Sequence, residues 1–172
     1  MRTHTWKSVV APAAPLLVLL AGCVSDQAPR AQSTPDSARP NDVVLVVPSF
    51  EDTDGNHYRD RTRLVAYIYA ESTRYPISMK ADGEFEFKLE NGAGKTLATW
   101  HFDRNQTREA MRKLAPGPAY VFDLSLLDVG TDRLADTEAD LLATFTPFKG
   151  DPIPARTKAP LQIGPMGPAS RP

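Results

Sequence analysis

The chain has 172 residues, with 20 lysines and arginines against 21 aspartates and glutamates, and a formal net charge of −1. Nucleic-acid-binding proteins carry a strongly basic surface, and the nearly equal numbers of acidic and basic residues do not indicate one, so we predict no nucleic acid partner. A single cysteine excludes an intramolecular disulfide and a cysteine-rich zinc site. We therefore expect one ordinary domain that is held together by its hydrophobic core.

Residues 1–22 have the three parts of an export signal. Arg2 and Lys7 supply positive charge, an apolar stretch runs from Val9 to Leu20, and small residues follow it. The stretch contains two prolines and falls short of the roughly 20 apolar residues that a membrane-spanning helix needs. We predict a cleaved signal peptide over residues 1–22.

The sequence Leu20-Ala21-Gly22-Cys23 resembles the lipobox of bacterial lipoproteins. The resemblance implies that a diacylglycerol is attached to the Cys23 sulfur, that cleavage occurs just before Cys23, and that the new amine is often acylated. Cys23 would then anchor the protein to membrane lipid, since each buried methylene contributes about 0.8 kcal/mol. In that family an acidic residue after the cysteine favours the inner membrane. Val24 stands there instead, so the resemblance favours a cell-envelope location at the outer membrane.

Residues 23–41 contain almost no large apolar side chains after the cysteine. We predict that they form a flexible tether. A flexible coil of this length has a typical reach of about 20 to 25 Å. Such a tether would hold a folded domain clear of the lipid headgroups.

Residues 42–150 are predicted to form a β-sandwich domain, because short apolar runs alternate there with turn residues. The predicted strands are residues 42–48, 63–70, 84–89, 96–102, 119–127 and 140–148. The strictest alternation is Glu84 to Leu89, where every second side chain is apolar. The turn Asn91 to Gly94 then predicts a hairpin with the next strand.

Three segments of the sequence break the strand pattern. Residues 103–114 predict one short helix, capped by Asp103 or Asn105 and stopped by the prolines that follow. Residues 128–139 are rich in Asp, Thr and Gly and predict a loop. Residues 151–172 are proline-rich and predict an extended or disordered tail.

These elements predict a mainly β fold, an antiparallel sandwich, immunoglobulin-like or related, with one short inserted helix and disordered tails on both sides. Residues 52–56, followed downstream by residues 97–102 and the short helix, also resemble small exported β-sandwich proteins of planctomycete-type bacteria. This resemblance implies a sandwich fold. It supplies no catalytic residue.

A polar segment between the first two predicted strands could bind a hard cation, because Ca²⁺ takes six to eight oxygen ligands. The candidate ligands are Asp52, Asp54, Asn56 and Asp60. Their spacing departs from an EF-hand loop, since Gly55 directly follows Asp54. A weak calcium site and a simple polar turn are both open interpretations.

Histidine, basic and tyrosine side chains supply the other candidate sites in the sequence. The histidines His57 and His101 lie in no metal or hydrolase signature, so surface positions are expected. A basic set in the predicted helix suits either a solvated face or a contact with phosphate-bearing lipid or glycan: Arg104, Arg108, Arg112 and Lys113. Four tyrosines could line a glycan or protein site or pack within the fold: Tyr58, Tyr67, Tyr69 and Tyr75.

Our functional hypothesis is a non-catalytic binding or scaffold module, anchored to the membrane, whose partner is an envelope protein or a glycan. One alternative is an envelope hydrolase whose site is built from loops, with Asp123, Asp128 and Asp132 as candidate acids. The other is a purely structural cell-surface protein. We predict no catalytic residue and no cofactor beyond weakly bound calcium.

Overall fold

The computed structural model describes residue 35 and residues 38–70, 75–115 and 117–166. The predicted signal peptide, Cys23 and nearly all of the predicted tether lie outside these residues. The elements in chain order are β1 (Asp42–Val46), β2 (Tyr58–Arg59), β3 (Arg61–Tyr69), β4 (Gly83–Glu90), β5 (Thr96–Phe102), α1 (Arg104–Ala110), β6 (Met111–Lys113), β7 (Pro118–Ser125), β8 (Glu138–Pro147), β9 (Ile153–Pro154), β10 (Ala159–Gln162) and β11 (Gly164–Pro165).

The strands form two main antiparallel sheets that share one core. The first sheet has the order β1-β3-β7-β6, and the second has the order β10-β8-β4-β5, with β9 also paired to β8. A short ribbon joins β2 to β11. The predicted mainly β fold with antiparallel sheets and one short helix is confirmed.

Alternation along β4 explains how the second sheet contributes to the core. Phe85, Phe87 and Leu89 are fully buried, and Glu84 is on the exposed face. The Phe85 ring lies 4.9 Å from the ring of Phe145 on β8, and further aromatic rings surround it, those of Phe87, Tyr120 and Phe122. The core therefore centres on an aromatic cluster contributed by both sheets.

The hydroxyl group of Tyr120 ties this core to the chain before β4. It donates a hydrogen bond to the Ala81 carbonyl oxygen at 2.6 Å and accepts one from the Ala81 N–H at 2.8 Å. Burial raises the pKa of Tyr120, although the bond from Ala81 acts in the opposite direction. The hydroxyl thus satisfies both backbone groups of one residue.

We expect Tyr120→Phe to lower the free energy of unfolding by about 1–3 kcal/mol, because it leaves two partly buried backbone groups of Ala81 unpaired. Urea unfolding followed by tryptophan fluorescence measures the loss. Tyr67→Phe is the matched control, since the Tyr67 hydroxyl donates to Ala115 at an exposed position. A loss no larger than that of the control would contradict this role of the Tyr120 hydroxyl.

The helix is shorter than the sequence predicts. Of the two predicted caps, Asp103 is the one that caps the helix, because its carboxylate accepts the N–H groups of Asn105 and Gln106. The prediction over residues 103–114 is wrong after Ala110, where β6 begins. Met111 has extended backbone dihedral angles and pairs with Tyr120 on β7. Sheet pairing thus replaces the last turn of the predicted helix.

The predicted tail at residues 151–172 is also corrected, because β9, β10 and β11 all fall within it. β10 pairs with β8, and Leu161 and Ile163 are buried in the core. These short strands contain Pro154, Pro160 and Pro165, and short edge strands tolerate the missing N–H. The folded domain therefore continues past residue 150 to β11, and residues 167–172 lie outside the described part.

The segment after β9 connects the two sheets. The Ala155 N–H donates to the Ala143 carbonyl oxygen in the second sheet at 2.8 Å. The next N–H, that of Arg156, donates to the Val43 carbonyl oxygen in the first sheet at 2.9 Å. Arg156 also pairs with Asp42. One side of the sandwich is thus closed by backbone hydrogen bonds to both layers.

Candidate functional site

The predicted calcium ligands lie in and next to a polar loop that precedes β2. The Asp52 carboxylate accepts the N–H groups of Gly55 at 2.7 Å and His57 at 2.9 Å. The Asp54 carboxylate accepts the backbone and side-chain N–H groups of Asn56, both at 3.1 Å. These bonds are turn-forming contacts of aspartate side chains. They hold His57 at a φ of 69°, which a non-glycine residue rarely adopts.

Two buried acids, Asp60 and Asp132, accept hydrogen bonds from residues of the loop. Asp60, only 1% exposed, accepts hydrogen bonds from the Thr53 N–H and the Thr53 hydroxyl, both at 2.6 Å. Asp132 accepts the Asn56 side-chain amide at 2.6 Å. In the described part of the chain, no group of three or more His, Cys, Asp or Glu side chains is arranged to hold a metal ion. The contacts favour the polar-turn interpretation. Calcium binding stays a prediction, and calorimetric titration at millimolar calcium measures it.

The stability of the loop conformation should depend on pH through the ionisation of Asp52. Partial desolvation raises the pKa of Asp52, but the N–H groups of His57, Gly55 and Asn56 together outweigh it, and the net pKa is lowered. Because the pKa is lowered, the charged carboxylate stabilises the loop at pH values above the ordinary pKa of an aspartate. This stabilisation is lost as the pH falls through the lowered value.

We therefore expect the amide resonances of Gly55 and His57 to shift together in an acid titration. The midpoint should lie below the ordinary aspartate pKa of about 3.9. NMR spectra of labelled protein measure the midpoint. Asp52→Asn should abolish the step, whereas Asp128→Asn, at an exposed position in another loop, should leave it unchanged. A midpoint above the ordinary value would contradict the assignment.

The other candidate residues have separate partners. His101 is exposed, with its Nε2 3.6 Å from the Glu84 carboxylate on the outer face of the second sheet. Asp123 forms two hydrogen bonds with Arg63 on an exposed face. Within the described residues no hydrogen bond or ion pair joins Asp123 to Asp128 or Asp132. The acids named for a hydrolase are thus not linked into one group.

The basic set divides between α1 and β6. Arg104 binds both carboxylate oxygens of Asp82, and its hydrogen bond lowers the pKa of Asp82. Arg108 lies 3.6 Å from the same carboxylate. Arg112 folds back onto the Glu109 carbonyl oxygen at 2.6 Å. Arg104, Arg108 and Arg112 are thus paired with groups of the same domain, as expected for a solvated face.

The four tyrosines differ in their surroundings. Tyr67 and Tyr69 occupy alternate positions on β3, as predicted for one face. Burial raises the pKa of Tyr69. The Arg133 guanidinium lies 5.7 Å from the ring centroid of Tyr58, and Tyr75 is partly buried. None of these contacts identifies a glycan site.

An open cleft of about 420 Å³ lies where β8 and β10 meet the turn between β4 and β5. Its lining residues are Ser49, Gly92, Glu138, Ala139, Asp140, Pro160, Leu161 and Gln162. The β8–β10 pairing places Gln162 opposite Glu138, and Pro160 opposite Asp140. The Arg59 guanidinium donates to the Gln162 side-chain oxygen at 3.2 Å and helps to position it.

No family model, curated protein or solved structure matches this chain. The cleft has therefore to be interpreted from its own chemistry. Its volume is in the range of small-ligand sites, but its open shape and polar side chains differ from an enclosed apolar pocket. Two carboxylates, a hydroxyl and an amide suit a ligand rich in hydroxyl or amino groups, such as a glycan or a polar peptide.

This cleft was not predicted, because β10 lies in the segment that was predicted to be a tail. Without the pairing of β10 and β8, Gln162 cannot be placed next to Glu138. One signal was present in the sequence. Leu161 and Ile163 alternate with polar or small neighbours, which is the two-residue period of a strand.

Proposed function

We propose that this protein is a lipid-anchored component of the bacterial cell envelope, and that its β-sandwich is a non-catalytic binding module. The observation that carries the proposal is the sequence Leu20-Ala21-Gly22-Cys23 at the end of an apolar run. No helix in the described ranges is long and apolar enough to cross a membrane. Acylated Cys23 would supply the anchor, and the residues before β1 would supply the spacer.

The cleft between β8 and β10 supports the binding half of the proposal. It combines exposed hydrogen-bonding side chains with a rigid base, because each lining strand is paired within the second sheet. Ligand sites on β-sandwiches gain precision when strands hold the contacting residues in place. The proposed ligand is an envelope glycan or a polar segment of an envelope protein.

Intact-mass spectrometry of protein extracted from native membranes tests the anchor. We expect a chain that begins at Cys23 and carries the mass of a diacylglycerol, with or without an additional acyl chain. Cys23→Ala should lose this mass and leave the detergent phase. An unmodified chain in the wild type would contradict the anchor.

Val24→Asp is the matched variant for location, since it keeps Cys23 and changes only the following residue. We expect the lipid to be retained while the protein moves from the outer to the inner membrane fraction. If the wild type already resides in the inner membrane, the outer-membrane prediction is wrong.

Photo-crosslinking in the host envelope tests the cleft. A crosslinking residue in place of Gln162 should yield a discrete adduct, and the combined change Glu138→Gln and Asp140→Asn should reduce its yield by about tenfold. A crosslinker in place of Thr146, exposed elsewhere on the same sheet, is the control. The same adduct from both positions, or none from Gln162, would contradict a ligand at the cleft.

A further inference from the structure

The open edges of the two sheets are protected to different degrees. The β10 edge contains Pro160, and the Gln162 N–H reaches the Ser49 hydroxyl at 3.5 Å. The β1 edge is bridged by Ala155. β6 has only three residues. β5 is different, because it is seven residues long and pairs on one side only, with β4, in the described structure.

The hydrogen-bond pattern of the sheet identifies which β5 groups point outward. The Ala143 carbonyl oxygen accepts a hydrogen bond from the Ala155 N–H, so the backbone groups of Ala143 point away from β4. Bonding directions alternate along antiparallel strands, so the backbone groups of Thr144 bond to β4, where Thr144 pairs with Glu86. The backbone groups of the next residue, Phe87, therefore bond to β5. Phe87 pairs with Trp100. The backbone groups of Thr99 and His101 therefore face outward along the free edge.

This edge lacks the usual protection against pairing. Natural edge strands carry charges, prolines or inward-pointing ionised groups that prevent addition of another strand. β5 has the sequence TLATWHF, with no proline, lysine or acid. A register irregularity between β4 and β5 lies near the start of β5 and leaves Ala98–Phe102 regular. From Ala98 to Phe102 the exposed strand is thus regularly paired with β4, without Lys, Arg, Asp or Glu, and rich in residues that favour β-structure.

Charged residues stand just outside the two ends of β5. Lys95 precedes the strand, is exposed, and forms no ion pair with any described residue. Asp103 follows the strand. Its Oδ1 atom accepts both helix-capping bonds, and within the described residues Oδ2 has no hydrogen-bond partner. An unpaired positive charge and an available carboxylate oxygen therefore flank a neutral edge.

We propose that β5 is a homodimer interface, in which two copies of the chain pair their β5 strands antiparallel about a two-fold axis at Thr99. In this register Thr99 lies opposite Thr99 of the second copy, and His101 lies opposite Leu97. Lys95 and Asp103 of the second copy lie at the same end of the paired strands, beyond the irregular start of β5, and the symmetry produces this pair twice. The second sheet becomes continuous across both molecules.

Charge complementarity selects a second copy as the occupant. A two-fold interface must be self-complementary, because each residue meets its symmetry-related position. In an antiparallel arrangement an edge with opposite charges at its two ends satisfies this condition, and Lys95 and Asp103 supply these charges. Opposed Thr side chains at the centre form a favourable cross-strand pair.

Disulfide trapping in the full chain tests the interface. Cys23→Ser removes the natural thiol, and Thr99→Cys places one thiol on the proposed axis. Opposed residues that exchange backbone bonds have Cα atoms about 5.5 Å apart, which a disulfide spans. We expect oxidation to yield a linked dimer at least about tenfold faster for Thr99→Cys than for the control Thr146→Cys, exposed on the same face of the sheet two strands away.

A charge variant tests the register. Adding Lys95→Glu to Thr99→Cys should slow crosslinking by about tenfold, because two attractive pairs become repulsive. Lys88→Glu makes the same change on the neighbouring strand and should have less than about a twofold effect. Circular dichroism establishes that each variant is folded. A folded Thr99→Cys chain that crosslinks no faster than Thr146→Cys, or that is insensitive to Lys95→Glu, would overturn the proposal.

Discussion

A chain that ends after Pro152 is expected to lose its cooperative unfolding transition. This truncation removes β9, β10 and β11, and with them the buried side chains of Leu161 and Ile163. Burying a side chain of this size contributes about 1.5–3 kcal/mol. The two side chains together contribute about 3–6 kcal/mol, which is comparable to the lower end of the total stability of about 5–15 kcal/mol that a domain has.

The truncation also uncovers what the removed strands protect. Val43, Ala139 and Leu141 would gain access to water, and β8 would become an open edge. The hydrogen bonds from Ala155 and Arg156 that join the two sheets would be absent. The loss should therefore exceed that of any single core substitution.

Thermal unfolding followed by circular dichroism and by tryptophan fluorescence measures this effect. The control is a chain that ends after Met166, which keeps every described strand and should unfold as the wild type does. A sharp transition in the shorter chain, with a midpoint within a few degrees of the control, would show that β9 and β10 are dispensable.

Phe85→Ala is expected to lower the free energy of unfolding by about 3–5 kcal/mol. Phe85 is fully buried and its ring contacts four other aromatic rings drawn from both sheets. Its removal leaves a cavity that β4 cannot move to fill, because β4 is paired with β5 on one side and with β8 on the other.

Phe148→Ala is the matched control, since Phe148 is 61% exposed and its ring contacts mainly the Arg104 guanidinium, at 4.0 Å from the centroid. It should cost no more than about 1 kcal/mol. Urea unfolding of both variants gives the comparison. Similar losses for the two substitutions would contradict the central position of Phe85 in the core.

The central strands were predictable because they carry a complete local signal. β4 alternates charged and aromatic residues, and β5 follows after a short turn, so periodicity and turn chemistry agree. The structure extends β4 by one residue at each end and gives β5 the predicted bounds. The cap at Asp103 was predictable for the same reason, since its evidence lies within three residues.

The elements that sequence did not predict depend on distant partners. Met111 is extended instead of helical because it pairs with β7. The segment after Gly150 forms strands because it pairs with the edge of β8 that β4 leaves free. The cleft has the same origin, since Gln162 and Glu138 become neighbours only through this pairing. Proline content argued for a tail, but short edge strands accommodate proline.

The hydrogen bonds at Ala143 and Val43 set an order of events during biosynthesis. The segment that joins the two sheets follows β1 to β8 along the chain, so it emerges from the ribosome after all of these strands. Contacts between segments so far apart form slowly. The core stays incomplete until Ile163 is available, so the domain cannot close while residues 155–163 are still inside the ribosome.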